Sequence, residues 1–139
     1  MTNDYLEEIS RLVHGEGDPC DLGADASHIE MIVRDLEAQP PWRPYCIVAD
    51  WTWVDLIGVD KDQFSKAVRE HGAQPVGLYS DNVIEDQLGR FNPGECVRST
   101  PLVEFRENCM FITRNTIYLM QGPGKRLRMR PFSFVSAQF

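Results

Sequence analysis

The run Tyr45-Cys-Ile-Val-Ala-Asp-Trp-Thr-Trp-Val-Asp-Leu-Ile constrains this chain more than any other segment. Its β-branched and aromatic residues suit a pleated strand. Apolar side chains stand at both odd and even positions, so the run predicts one long bent strand or two short ones, apolar on both faces. Such a strand needs other elements to cover both of its sides. On a regular strand Trp51 and Trp53 share a side with Ile47.

The residues before this run read as helices. Residues 3–14 place Leu6, Ile9, Leu12 and Val13 on one face, and Asp4, Glu7 and Glu8 suit the first turns. Residues 15–25 are rich in turn formers and predict a loop. A second helix is expected from Ser27, with Ser27 and Glu30 as a capping box and Ile29, Ile32, Val33 and Leu36 as its apolar stripe. Pro40 and Pro41 end it, and Trp42, Arg43 and Pro44 complete a stiff connector.

A third helix is expected over about 61–71, capped by Asp60, with His71 near its end as a cation complementing the helix dipole. Gln74 to Tyr79 predicts a short strand. Cys96 to Arg106 and Met110 to Gln121 are expected to pair as a hairpin around Glu107 and Asn108. Gly122-Pro-Gly-Lys-Arg reads as a turn, with no helix after it to make a phosphate loop. Residues 125–139 predict an edge strand. The 139 residues suit one domain, acidic and helical over 1–42 and mainly β over 43–139. The expected class is α+β: N-terminal helices on a curved, mostly antiparallel sheet or partial barrel.

Charge is unevenly distributed. Net charge is −7, with 11 Asp/Glu against 3 Lys/Arg in residues 1–50 and 2 against 6 in residues 101–139. The overall sign excludes a generally basic nucleic-acid binder. Lys125, Arg126, Arg128 and Arg130 form a short basic strip, which reads as a charge-protected edge. With Tyr118 and Phe132 nearby it also has the residue types of a nucleic-acid contact, but the net charge opposes direct nucleic-acid binding. Asp4, Glu7, Glu8, Glu16, Asp18 and Asp21, with Trp42 as an aromatic anchor, are the candidate contacts for a protein partner with a basic surface.

Motifs for chemistry are sparse. Cys20, Cys46, Cys96 and Cys109 form no CxxC pair. His14, Asp18, Cys20 and His28 lack the tight ligand pair of a zinc site, so no metal and no cofactor is expected. Cys46 or Cys96 could meet a histidine only through the fold. Arg98-Ser99-Thr100 with Glu104 reads as cross-strand pairing. A small hydrolase or transferase would need Asp50, Asp55, Arg98 and Ser99 to converge. The sequence shows no signal peptide and no apolar run long enough to span a bilayer, which predicts a cytoplasmic protein with reduced thiols.

One resemblance stands beside these readings. Cys46 to Leu56, Val76-Gly-Leu-Tyr-Ser, Arg90 to Phe105 and Phe111 to Lys125 together resemble a family of small uncharacterised bacterial proteins associated with prophages and mobile elements. The resemblance covers about residues 43–125 and implies a small α+β accessory protein without catalytic residues. The combined expectation is a non-enzymatic binding protein, in its most concrete form an anti-CRISPR-like inhibitor of a host defence complex. The alternatives are an immunity or antitoxin-type protein and the small hydrolase or transferase. A homodimer through a sheet edge or exposed tryptophans stays open.

Overall fold

In the computed structural model, which describes residues 2–58, 70, 72–131 and 134, the aromatic run forms one 12-residue strand, β2 (Tyr45–Leu56), at the centre of the sheet. Along one edge β3 (Val76–Asp86) pairs antiparallel with it, from Asp55↔Val76 to Cys46↔Asp86. The other edge is shared by two strands in succession. β7 (Ile117–Met120) runs parallel to Tyr45–Val48, and β8 (Gly124–Met129) runs parallel to Thr52–Leu56. Outside β8 lies β1 (Asp18–Cys20). Outside β7 lie β6 (Met110–Ile112) and then β5 (Glu104–Arg106). β4 (Val97–Arg98) pairs with β3. The sheet curls into a half-barrel.

Two helices complete the described fold, α1 (Thr2–Val13) and α2 (Ala26–Ala38). A strand apolar on both faces needs two apolar partners, and the core is correspondingly split. Trp51 and Trp53 join a large cluster with Ile29 and Ile32 of α2, Phe111 and Leu119. Val54 joins a smaller one with Leu12 of α1, Tyr79, Leu127, Met129 and Phe134. Burying each such side chain stabilises the fold by roughly 1.5–3 kcal/mol. Trp53 meets Phe105 and Phe111 edge-on, at centroid distances of 5.1 and 5.4 Å.

The sheet is mostly antiparallel as expected, with two parallel pairings where β7 and β8 share one edge of β2. Several expectations are corrected. The segment 15–25 contains β1, and Ala24 makes an isolated parallel bridge to Gln121. The cap of α2 is Asp25: its carboxylate accepts from the His28 N–H at 2.9 Å and from the Ser27 hydroxyl. Those two bonds hold the Asp25 carboxyl below the usual range, the backbone bond contributing most. The strand expected at Gln74–Tyr79 runs on to Asp86. Met110 to Gln121 is itself a hairpin, turning at Arg114 and Asn115, and only β5 and β6 meet around Glu107–Asn108. β8 lies between β1 and β2, so the basic strip is no edge strand. The helix expected over 61–71, His71, Phe132 and the side chain of Asp4 fall outside the described residues.

Candidate functional site

The most distinctive local geometry follows from a mismatch along β2. Between Val48 and Thr52 β2 advances four residues, while its neighbour advances five, from Met120 to Lys125. The surplus residue is a bulge at Gln121–Pro123, and Pro123 has no N–H with which to extend the ladder. Opposite it β2 kinks: Asp50 adopts φ +46°, a left-handed conformation that Asp tolerates better than β-branched residues. The Trp51 indole N–H donates to the Gly122 carbonyl at 2.9 Å and holds the bulge in place. Gly23 lets the preceding loop close onto the same bulge, since a Cβ there would stand 2.2 Å from the Gly122 oxygen.

These features enclose a cleft of about 790 Å³. Gly15, Pro19, Cys20 and Asp21 line it from the loop and β1, Asp50, Trp51, Thr52 and Asp81 from β2 and β3, and Pro123, Gly124 and Lys125 from the bulge. Asp50 and Asp81 fall opposite each other between the pairs Ala49↔Asn82 and Trp51↔Ser80. Like charges placed so are mutually unfavourable. The Asn82 amide donates to Asp50 at 2.9 Å, and the Ser80 hydroxyl donates to the Ala49 carbonyl at 2.6 Å. Lys125 donates through Nζ to the Gly15 carbonyl. Among the described residues, none of Asp21, Asp50 and Asp81 forms an ion pair. A cleft with three exposed carboxylates and an indole at its base suits an organic cation: the carboxylates bind ammonium or guanidinium groups, and the apolar floor accepts the alkyl stem.

The other sequence candidates are dispersed. Glu7 and Glu16 line a separate hollow with Leu6 and Arg11. Glu8 accepts from Arg130 at 3.1 Å. Asp18 lies with Arg11, Asp55, Arg126 and Arg128. Trp42 stands before the first residue of β2 with Arg43 and Arg114, whereas Asp18 is level with the second half of β2 through Asp18↔Arg126 and Arg126↔Trp53. Of the basic strip, Arg126 forms a two-bond pair with Asp55 at 2.7 and 3.0 Å and lies over Trp53. The basic strand thus lies beside the acidic segment Asp18–Cys20, with Arg126 on Asp55 and Arg130 on Glu8.

Of the residues considered for catalysis, Ser99 and Arg98 make hydrogen bonds that tie strands and backbone together. The Ser99 hydroxyl accepts from the Leu78 N–H and donates to the Thr100 carbonyl. Arg98 donates to the Phe134 carbonyl. No described cavity is lined by Asp50, Asp55, Arg98 and Ser99 together. Burial, with Asp86 nearby, pushes the Cys46 thiol up to about 12, and burial pushes Cys109 up to about 11. Both are held as inert thiols. All four cysteines are free. Among the described residues, no three His, Cys, Asp or Glu side chains could hold a metal ion together.

Two features escaped the sequence reading. Asp81 joins the cleft only through the register of β3, although Ser80-Asp81-Asn82, three turn-forming types inside a strand, hints at an exposed site. Asp86 and Arg90 form a pair at 2.7 Å in which the Asp86 side chain is fully buried and that of Arg90 is 33% exposed. Arg90 also donates to Thr116. Burial opposes the charged form of Asp86, but the Arg90 side chain and backbone bonds outweigh it and hold the carboxyl below the usual range.

Fold and site thus define a small α+β half-barrel whose kinked central strand carries a carboxylate-lined cleft. A family model described as a domain of unknown function (DUF6957) matches residues 21–136, and the chain belongs to that family. The match is wider than the 43–125 of the resemblance and contains Asp21, Asp50 and Asp81, but not Glu7, Glu8, Glu16 or Asp18. Searches of curated proteins and of solved structures each return no significant match. No described helix is long and apolar enough to cross a membrane.

Proposed function

We propose that this protein is a non-enzymatic binding module that accepts a basic segment of a protein partner in the Asp21–Asp50–Asp81 cleft. The observation that carries the reading is the gathering of three carboxylates in one cleft while its single lysine is engaged with a backbone carbonyl. Other acids are neutralised locally, as at Glu8–Arg130 and Asp55–Arg126. A net charge of −7 adds long-range attraction for a basic partner and speeds encounter. On this reading the protein is a stoichiometric inhibitor of a basic, nucleic-acid-handling partner, in the manner of a phage-encoded anti-CRISPR or of an immunity protein seated on a toxin. The acidic contacts centre on the cleft, and Glu16 and Asp18 are chain neighbours of its lining residues Gly15 and Pro19.

A Lys/Arg-rich peptide titrated against the protein, followed by Trp51 emission, tests the reading. The wild type is expected to bind with an affinity that falls steeply with salt. Asp21→Asn/Asp50→Asn/Asp81→Asn together should weaken it at least tenfold. Equal binding by the triple variant overturns the cleft as the site.

A further inference from the structure

Just before β2 begins, a second surface has the reverse chemistry. Trp42 lies between Pro41 and Pro44 and is 74% exposed. The Arg43 guanidinium stacks on its ring, 4.5 Å from the centroid, and Arg43 Nε is buried with no hydrogen-bond partner among the described residues. Arg114 is exposed on the β6–β7 turn and forms no ion pair among the described residues. These three line a hollow of about 440 Å³ with Val103 and Asn115, and among the described residues Glu70 is the one carboxylate on its wall. Arg126 of β8 and Arg130 just after it each meet a carboxylate, whereas among the described residues Arg43 and Arg114 meet none.

We infer that this surface docks an acidic segment of a protein partner, with carboxylates on Arg43 and Arg114 and a flat apolar side chain on Trp42. The planar guanidinium fork matches a carboxylate bidentately. Tryptophan and arginine are the side chains that dominate binding hot spots. The flanking prolines and the Arg43–Trp42 stack hold both groups in place beforehand, so little ordering remains to be done on binding. The number of charges selects the partner. Two guanidinium groups satisfy one or two carboxylates, whereas a nucleic acid requires many phosphate contacts, and the net charge of −7 repels a long polyanion.

The test is a titration of isotopically labelled protein with an acetylated Glu-Glu-Tyr-Glu-Glu peptide, followed by NMR. Saturable shifts of the Trp42 indole N–H and of Arg114 are expected. Trp42→Ala and Arg43→Ala/Arg114→Ala should each weaken binding at least tenfold, and Arg114→Glu should transfer the preference to a Lys-rich peptide. Asp50→Asn/Asp81→Asn should leave the acidic-peptide titration unchanged, which separates this surface from the acidic cleft. Three results overturn the inference. One is an absence of shifts at Trp42 or binding that survives loss of both arginines. Another is tighter binding of hexathymidylate than of the peptide, which would make the surface a nucleic-acid contact. The third is concentration-dependent self-association abolished by Trp42→Ala, which would make a second copy the occupant.

Discussion

Gly124 is pressed against Trp51: a Cβ at Gly124 would stand 2.4 Å from both the Trp51 carbonyl oxygen and Cδ2 of its ring. The contact lies where β8 resumes pairing after the bulge, beside the indole hydrogen bond to Gly122. Gly124→Ala must therefore displace backbone as well as a ring. We expect a loss of about 2–3 kcal/mol in urea unfolding, at the upper end for overpacking, with an altered emission maximum from Trp51. Unchanged stability would show that the bulge is not seated on the indole.

The left-handed kink at Asp50 makes a second prediction, because its φ of +46° penalises a β-branched side chain and not glycine. Asp50→Val should cost about 1–2 kcal/mol, and Asp50→Gly should be close to neutral. Parallel denaturation curves distinguish the backbone effect, seen only in the valine variant, from the charge effect common to both.

Asp81 stands opposite Asp50 in the register. Asp81→Asn removes a cross-strand like-charge pair and should stabilise the fold by about 0.2–1 kcal/mol. The same change should weaken binding of the basic peptide. Stability up and binding down in one variant would mark a carboxylate retained for binding. A loss of both would mark Asp81 as structural.

The buried Asp86–Arg90 pair links stability to acid pH. The Asp86 carboxyl lies below its unfolded value in the folded protein, so its contribution is complete above roughly pH 4 and is lost as pH falls through the folded-state value. Arg90→Leu strands a buried carboxylate and should cost about 2–4 kcal/mol near neutral pH, moderated by the partial exposure of Arg90. Adding Asp86→Asn should recover part of the loss, which a double-mutant cycle in urea measures.

At the alkaline end the sign reverses. Burial, with the Glu85 hydrogen bond, pushes Tyr45 up to about 12, burial pushes Tyr118 up to about 12, and Cys46 lies at about 12. The unfolded chain releases these protons first, at roughly pH 8.5–10, so stability is complete below that range and falls as pH rises toward 12. At pH 8, a thiol reagent should modify half-buried Cys20 and Cys96 in the folded protein, and Cys46 and Cys109 only after denaturation. Fast labelling of all four would contradict the buried positions.

Much of the architecture was legible residue by residue. Ile29, Ile32, Val33 and Leu36 announced α2 and the face it buries, and Pro40 and Pro41 its end. The site was less legible. Asp21 could be read as an acidic contact and Asp50 as a polar residue in an apolar run, but their meeting with Asp81 depends on the pairings of β2 with β3 and of β1 with β8. The same holds for Arg126 and Arg130, a strip in sequence but ion-pair partners of Asp55 and Glu8 in the fold.

By itself the sequence determined that Tyr45–Leu56 is a strand needing cover on both faces, because side-chain alternation and β-branching act locally. It determined the helices before that strand for the same reason. Only the tertiary structure decided that β7 and β8 share one edge of β2 with a surplus residue between them, that Asp50 turns left-handed to meet the bulge, and that opposite charges far apart in the chain neutralise each other. Register and strand neighbours are set by contacts between distant residues, and no local pattern encodes them.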